Sequence, residues 1–475
     1  MFGNSMSPRH QSVERAIDSF RTFINSQVYS SVILLVVALI AMIWANLPIY
    51  ESYFHLWESE LVINIAGSEF GMTLHAWVND ALMVLFFLLV GLEVKEQILI
   101  GELSTKRKAI LPIGAALGGM LAPATIYLLF NGGKPSEMGW GIPTATDIAF
   151  ALGLLVMLGK RVPVSLRIFL AALAIADDIG AILIIAVFYT DHMEVAGLFI
   201  AALALFLLYM TGRLGIFSAP LLWLLGFVVW FGILISGFHA TIAGVLIAFA
   251  IPARSLVDPS ILRKPVSDAD DVLEDLFHED HELDLRETLR NEEALAVLLN
   301  LEDQLDDVLP PITRVEKALS PWVYFIVLPL FALANTGVHF GDDLVSALTS
   351  PVSLGIIFGL FFGKQIGISA ISFIMVKIGI ADLPDGVGWR QLHAVSVLGG
   401  IGFTVALFVT DLAFHGNHAM ADHAKIAIII ASIISGIVGL YLLSRLFPAE
   451  TEEKANPTAA DEQEDSKIRV LRDAV

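Results

Sequence analysis

Long hydrophobic runs separated by short polar segments dominate the pattern of this chain. A membrane-spanning helix needs about 20 consecutive, mostly apolar residues. The stretch 214–251 is too long for one crossing and contains a turn signal at Ser236-Gly237-Phe238-His239. The pattern predicts an all-α polytopic membrane protein with twelve transmembrane helices, spans 1 to 12, at residues 28–47, 76–95, 109–130, 139–159, 165–189, 195–212, 215–235, 237–251, 321–337, 352–376, 391–413 and 424–447.

The loops between these spans alternate in their content of basic residues. Lys and Arg collect at the N-terminus, in every second loop and at the C-terminal end, whereas the intervening loops contain only Lys134 and Lys425. Because basic loops remain in the cytoplasm, the pattern predicts an even number of spans with both termini cytoplasmic. Residues 1–27 are polar, and no cleavage pattern follows the first apolar run, so we expect that run to be span 1 rather than a signal peptide.

The composition supports a membrane protein, because 56% of the residues are hydrophobic and only 16% are charged, against about a quarter charged in soluble domains. The absence of cysteine excludes disulfides, thiolate metal sites and cysteine nucleophiles. We expect no cofactor and no nucleic-acid partner. We expect the spans to contact the lipid bilayer.

Acidic residues are concentrated outside the spans. Residues 252–320 hold eighteen Asp and Glu against seven Lys and Arg, and residues 448–475 hold eight against four, so these segments supply −15 of the net charge of −20. Leucines spaced through an insertion at 255–310 predict one or two surface helices; a solvated acidic linker without a role in transport is the alternative. The predicted division is a cytoplasmic N-terminus at 1–27, spans 1–8 at 28–251, an acidic cytoplasmic loop at 252–320, spans 9–12 at 321–447 and an acidic cytoplasmic tail at 448–475.

The segment 49–75 is the longest loop on the outer, periplasmic side. It alternates in places, at Leu61, Ile63 and Ile65, and Gly67-Ser68 is a turn signal. We therefore predict a small β-hairpin whose free edges could pair with a second copy of the chain through residues 50–75. An irregular loop is the alternative interpretation.

Ionisable residues at membrane depth are costly and therefore mark candidate functional positions. The predicted spans contain few of them. They are Asp80 and Glu93 in span 2, Asp147 in span 4, Asp177 and Asp178 in span 5, and Lys364 in span 10, with His239 at the start of span 8.

Asp177 and Asp178 lie near the middle of span 5. Neighbouring residues on a helix point about 100° apart, so we expect the two carboxylates to have different partners. Two buried like charges cannot both ionise freely, and a proton or a cation must neutralise at least one of them. Such a site would bind either H⁺ or a hard cation, for which oxygen is the preferred ligand. A structural salt bridge is the alternative.

Two spans carry residues that interrupt a helix. Pro143, two threonines and flanking glycines surround Asp147 in span 4, and span 11 contains Leu398-Gly-Gly-Ile-Gly-Phe-Thr404. A broken helix leaves half-helix ends of opposite partial charge, and Asp147 would neutralise a positive N-terminal end. Lys364 is the only basic residue at span depth, so we expect it to pair with an aspartate of span 5.

Taken together, these residues resemble the NhaA family of bacterial sodium/proton antiporters, one of the families in which broken helices form the ion site. The resemblance covers the chain apart from the insertion and the two tails. The matching segments are Asn79–Met83, Phe86–Lys95, Ala145–Gly153, Ala174–Gly180, His239–Gly244, Leu328–Ala332 and Gly400–Thr404.

The resemblance implies a fold and a function. Spans 3–5 and 10–12 would form two inverted three-helix repeats, with the broken spans 4 and 11 crossing. The protein would export Na⁺ or Li⁺ across the bacterial inner membrane in exchange for periplasmic H⁺, as a homodimer, and exchange would be electrogenic and regulated by pH. These activities would serve pH homeostasis and salt tolerance.

The resemblance also implies residue roles. Asp178 would be the main ligand of Na⁺ or Li⁺, Asp177 would exchange protons and pair with Lys364, and Asp147 with Thr146 would lie at the break of span 4.

A cytoplasmic pH-sensing region is implied at Glu93 and Glu316, and His239 matches a position linked to the pH response. The chain departs from the family in this region. Glu96 and Gln97 stand where a basic and then an acidic residue are usual, and Lys317 and Ser320 stand where histidines are usual. The sequence therefore predicts no pH profile, and His239 could equally be a turn residue with satisfied hydrogen bonds.

Two other functions are compatible with buried aspartates. A different sodium-coupled solute transporter could use the same fold. An intramembrane aspartyl hydrolase needs aspartates on two helices and a Gly-x-Gly-Asp signature, which this chain lacks, so we expect no enzymatic activity.

Overall fold

Helices make up most of the protein. The computed structural model describes residues 27–65, 68–101, 103–189, 194–216, 218–255, 259–278, 292–340 and 344–448; Gly67 and most of the two polar termini lie outside these ranges. The helices are α1 Gln27–Trp44, α2 Tyr50–Glu58, α3 Leu74–Leu99, α4 Lys106–Asn131, α5 Ile148–Met157, α6 Val164–Phe188, α7 Val195–Arg213, α8 Ala219–Ile235, α9 Ile242–Ala250, α10 Arg263–His278, α11 Glu292–Val308, α12 Pro311–Asn335, α13 Leu344–Thr349, α14 Pro351–Lys377, α15 Trp389–Leu398, α16 Phe403–Ala413 and α17 His418–Leu446.

Length and composition identify the helices that can cross a membrane. In the described part of the chain, eight helices are long and apolar enough, or nine if the bent pair α15 and α16 forms one span. The chain is therefore a multi-span membrane protein. Helices α1, α8 and α9, which fall on the predicted spans 1, 7 and 8, are shorter. The count of twelve spans and the inverted repeats remain predictions.

Spans 8 and 9 begin at other residues than predicted, at Ile242 and Pro311. Helix α12 begins at Pro311, ten residues before predicted span 9, because its first turns are amphipathic and carry Arg314, Glu316 and Lys317. A search for apolar runs misses such turns. Between α8 and α9 the chain turns at Gly237, whose φ of 80° suits glycine, at the predicted place. His239 lies in this turn, and α9 begins three residues later.

The predicted hairpin is present as a two-stranded antiparallel sheet of Glu60–Ile65 (β1) and Ser68–Thr73 (β2), in which Glu60 pairs with Thr73. The loop also contains a helix that the sequence reading did not predict, α2, which buries Tyr53 and Trp57. Tyr53 donates a hydrogen bond to the carbonyl of Leu333 at 2.7 Å. Helix α2, which leads into β1, is thereby attached to the end of α12.

The acidic insertion contains two helices, α10 and α11, in agreement with the predicted surface helices. The chain enters and leaves the insertion at neighbouring points, because the N–H of Ile312 donates to the carbonyl of Pro252 at 3.2 Å. The two ends of the insertion therefore lie next to each other at the membrane body.

Close packing of α4 against α14 positions Lys364. Gly118 and Gly367 face each other, and a Cβ on either would collide with the carbonyl of the other. Gly119 lies beside Lys364, and a Cβ on it would come within 2.9 Å of Ile368. Small residues of this kind let two helix backbones approach closely inside a membrane.

Candidate ion-binding site

The first break lies ahead of α5. Residues Pro135–Thr144 form a 3₁₀ segment, the next three residues are extended, and α5 begins at Ile148. Asp147 is the N-cap of α5, and its Oδ1 accepts a hydrogen bond from the N–H of Phe150 at 3.0 Å. A capping carboxylate satisfies an otherwise free donor and neutralises the positive helix end.

The second break separates α15 from α16, which are bent by 50°. The N–H and the hydroxyl of Thr404, in the first turn of α16, donate to Oδ2 of Asp147 at 3.0 and 2.6 Å. The N–H of Asp147 donates to the carbonyl of Ile401 at 2.7 Å. One buried carboxylate thus joins the N-terminal ends of two half-helices. We predicted one such end from the sequence, and Thr404 as the second partner was missed.

Asp177 of α6 is paired with Lys364 of α14, as expected from the sequence. The ammonium of Lys364 lies 2.6 Å from Oδ2 of Asp177, and both residues are fully buried. The hydroxyl of Thr146 lies 2.7 Å from the same oxygen and 2.8 Å from the carbonyl of Gly399. The single hydroxyl proton can serve either acceptor, so Thr146 connects the ion pair to the second break.

Asp178 differs from its neighbour, because no basic side chain among the described residues forms an ion pair with it. Its side chain is buried, with 4% of the residue exposed, and its Oδ1 has no hydrogen-bond partner. Oδ1 of Asp177 is also buried and unpaired. One lysine therefore faces two adjacent aspartates, and an unpaired buried carboxylate is costly unless it binds a proton or a cation.

The candidate pH-responsive groups are divided between two places. Tyr324 of α12 donates to Oε1 of Glu93 at 3.1 Å, and Oε2 of Glu316 is buried without a partner. His239 lies at the start of α9, where its Nε2 donates to the carbonyl of Tyr189 at 2.5 Å. Helix α9 separates the two places, because its other end contacts the helix that carries Glu93.

Helices α3 and α9 pack along their length, with Gly91 against Val245 and Ala248. At the C-terminal end of α9 the ammonium of Lys95 donates to the carbonyls of Phe249 and Ile251. Glu93 therefore lies beside the C-terminal half of α9, whereas His239 precedes the first residue of this helix. The structure does not bring His239 together with Glu93 and Glu316. Its hydrogen bond matches the interpretation as a turn residue.

Asp80 is also apart from the aspartates of α6. It lies in a π-helical turn of α3, Trp77–Leu82, and its carbonyl accepts a hydrogen bond from the indole of Trp230 at 2.7 Å. Among the residues that the structure describes, no three His, Cys, Asp or Glu side chains are grouped so that they could hold a metal ion.

A multi-span helical protein in which buried carboxylates lie where two broken helices meet belongs to the class of secondary transporters. The sequence comparisons narrow this class. The chain belongs to the Na⁺/H⁺ antiporter 1 family, whose sequence profile matches residues 21–443. The members of this family are transporters and not enzymes, which excludes the hydrolase.

Many curated relatives match over almost the whole chain. The Na⁺/H⁺ antiporter NhaA of Oleidesulfovibrio alaskensis is 42% identical, over 94% of this chain and 98% of the relative. The Na⁺/H⁺ antiporter NhaA 2 of Syntrophotalea carbinolica is 44% identical, over 90% of this chain and 96% of the relative. The resemblance noted in the sequence to the NhaA family is thereby confirmed.

Replacing Thr404 with Val tests the contact between the two breaks. Val removes the hydroxyl donor to Asp147 but leaves the backbone N–H, so we expect a loss of stability of about 1–3 kcal/mol, as for a hydrogen bond to a charged group. Thermal unfolding of the purified protein measures it. Thr404→Ser keeps the hydroxyl and is the matched control; equal melting temperatures for the two variants would argue against the contact.

Proposed function

We propose that this protein is a sodium/proton antiporter that exports Na⁺, or Li⁺, in exchange for H⁺ from the periplasm. The observation that carries the proposal is Asp178, a buried carboxylate with an unpaired oxygen beside the Asp177–Lys364 ion pair. The names of the relatives, which are Na⁺/H⁺ antiporters, agree with it.

The charges of the site explain why the two ions compete. Lys364 compensates one carboxylate, so the second one needs a proton or a cation while it is buried. The unpaired Oδ1 atoms of Asp177 and Asp178 are oxygen ligands suited to Na⁺. Other ligands would come from hydroxyl, carbonyl or water oxygens. Because H⁺ and Na⁺ occupy the same carboxylates, binding of one releases the other.

Exchange then follows from alternating exposure of one site. Protons arriving from the periplasm load Asp177 and Asp178, the helices that carry the site move, and the site opens to the cytoplasm. Na⁺ displaces the protons there and is carried outward. The proton gradient drives export, and exchange is electrogenic if more than one proton enters for each Na⁺. In this scheme Asp147 and Thr146 hold the breaks in place while the ion changes.

The distribution of basic loops supports a location in the bacterial inner membrane with both termini in the cytoplasm. The proposed cytoplasmic control region is Glu93 with Glu316, because Glu93 is hydrogen-bonded to Tyr324 and Glu316 has an unpaired oxygen on the same helix as that tyrosine. Protonation there would set the pH range of exchange. Export regulated in this way would serve pH homeostasis and salt tolerance.

Asp178→Asn is the direct test of the ion site. The amide cannot exchange a proton and carries no charge, so Na⁺ and Li⁺ should no longer change the pH inside proteoliposomes over a pH series. Asp385→Asn, the same change at an exposed loop residue, is the control and should exchange normally. Continued exchange by Asp178→Asn would contradict the proposal, and Na⁺ uptake coupled to an organic solute by the unaltered protein would favour the other transporter.

We also propose that the hairpin joins two copies of the chain. Leu61 and Val62 on β1 are about half exposed, at 47% and 49%, and each strand pairs only with the other within one chain. Replacing residues 61–72 with a short Gly-Ser linker should convert dimers to monomers in light scattering of the detergent-solubilised protein. Dimers that persist after this replacement would exclude the hairpin as the joint.

The acidic insertion is proposed to have no direct role in exchange. Since Pro252 and Ile312 already lie within hydrogen-bonding distance, a short linker can replace residues 262–308 without moving α9 or α12. We expect Na⁺-dependent exchange across a pH series to be unchanged. A shifted pH range in a variant with an unchanged melting temperature would show that the insertion regulates transport.

A further inference from the structure

A group of polar side chains lies between the ion site and the hairpin, and the exchange scheme does not use it. We call it the outer polar cluster. Its members come from four helices that are distant in sequence. They are His75 and Asn79 of α3, Asn335 of α12, Asp411 of α16 and Lys425 of α17.

Asp411 is the centre of this cluster. The amide of Asn79 donates to its Oδ2 at 2.7 Å, and the ammonium of Lys425 lies 3.2 Å from its Oδ1. His75 Nε2 lies 3.6 Å from Oδ2. The side chains of Asp411 and Lys425 are only 16% and 12% exposed. Each carboxylate oxygen thus has a close partner, and charge-assisted hydrogen bonds of this kind are stronger than neutral ones.

Asn79 is held in turn by α12. The amide of Asn335 donates to Oδ1 of Asn79 at 2.8 Å, and its own Oδ1 lies 3.0 Å from Nε2 of His75. The side chain of Asn79 therefore accepts from α12 and donates to α16. Its hydrogen bonds join α3, α12 and α16 in one network.

This network connects two sets of helices. Asp411 is seven residues after Thr404 on α16, about 10 Å along the axis, and Thr404 binds Asp147 of α5. Helices α5, α6, α14 and α16 supply Asp147, the two aspartates of α6, Lys364 and Thr404, whereas α3 and α12 supply none of them. The hydrogen bond from Asn79 to Asp411 consequently joins the helices that hold the ion site to helices that do not.

The space around the cluster is open on one side and closed on the other. A cavity of about 570 Å³ lies over it on the side of the hairpin, with Trp57, Thr73, His75 and Asp411 among its lining residues. One turn deeper on α16, Phe408 contacts Phe87 of α3 and Phe331 of α12, with ring centroids 5.2 and 6.4 Å apart. All three rings are buried. Because Phe408 lies between Thr404 and Asp411 on α16, these packed rings lie between the cavity and the ion site.

We propose that Asp411 and Asn79 form the outer gate of the transport cycle. Their hydrogen bond holds the site helices against α3 and α12 while the route from the hairpin side is closed, and it must break for the site to open to that side. Lys425 orients the Asp411 carboxylate through the ion pair between them. The proposal rests on the exchange cycle above, and it assigns positioning roles rather than ion ligands.

Cross-linking tests the gate directly, because the chain has no cysteine and introduced thiols are the only ones present. In Asn79→Cys with Asp411→Cys, a short bifunctional methanethiosulfonate reagent should abolish Na⁺/H⁺ exchange in proteoliposomes, and a reductant should restore it. The control is Asp411→Cys with Lys425→Cys, which joins α16 to α17. Helix α17 is attached to the site helices, because Ser432 accepts from the N–H of Phe403 of α16 and the hydroxyl of Ser353 of α14 donates to the carbonyl of His423. Cross-linking should therefore leave the exchange rate of this control unchanged. Undiminished exchange by the cross-linked 79–411 protein would overturn the gate without affecting the assignment of Asp178.

A second measurement reports on the sidedness of opening. Asp411→Leu replaces the carboxylate with an apolar side chain of similar size and so removes the hydrogen bond from Asn79. The outer route should therefore open more often. A cysteine in place of Phe408 should then react faster with a membrane-impermeant thiol reagent added on the hairpin side than the same cysteine beside an intact Asp411. A merely structural Asp411 would lower the melting temperature without this change. Equal labelling rates would overturn the proposal. This measurement remains decisive if the variant with Asn79→Cys and Asp411→Cys fails to exchange Na⁺ for H⁺ even when its thiols are reduced.

Discussion

The carboxylate of Asp147 holds together the two broken helices on which the rest of the site depends. Its two oxygens accept hydrogen bonds from Phe150 at the start of α5 and from Thr404 at the start of α16. In the interior of a membrane protein, the free N–H groups of both half-helices need an acceptor. A single anion between two positive helix ends meets that need, and it fixes the distance between the breaks.

The two aspartates of α6 have only one lysine beside them, so one negative charge has no positive partner. Oδ2 of Asp177 contacts both the ammonium of Lys364 and the hydroxyl of Thr146. The same hydroxyl also lies near the carbonyl of Gly399 in the second break. Asp178 has no such support. The difference between adjacent residues follows from helix geometry, since side chains about 100° apart face different neighbours. An incomplete charge balance is stable only with an exchangeable ion, which is the basis of the proposed antiport.

Much of the architecture was predictable because the bilayer restricts it. Apolar length and basic loops predicted the membrane body, and costly buried charges predicted the pairing of Lys364 with span 5. Alternating residues and turn signals predicted the hairpin and the turn at Gly237. Helix α2 and the amphipathic start of α12 were missed, because neither is an apolar run. The outer polar cluster was missed for other reasons. Asp411 lies two residues from the end of predicted span 11, where a charge costs less than at mid-membrane, and Asn79 was noted only as part of a family motif. His75 and Asn335 carry no signal in the sequence that separates them from other polar residues.

The sequence by itself determined which residues would be energetically costly to bury inside a membrane, because that free-energy cost depends on side-chain chemistry and on the length of the surrounding apolar run. Only the tertiary structure decided how each was compensated. It gave Asp177 a lysine from a helix that begins more than 170 residues later, gave Asp147 two helix ends, and left one oxygen of Asp178 unpaired. Compensation depends on contacts within a few ångströms, and such contacts between distant segments are set by helix packing, which no local pattern encodes.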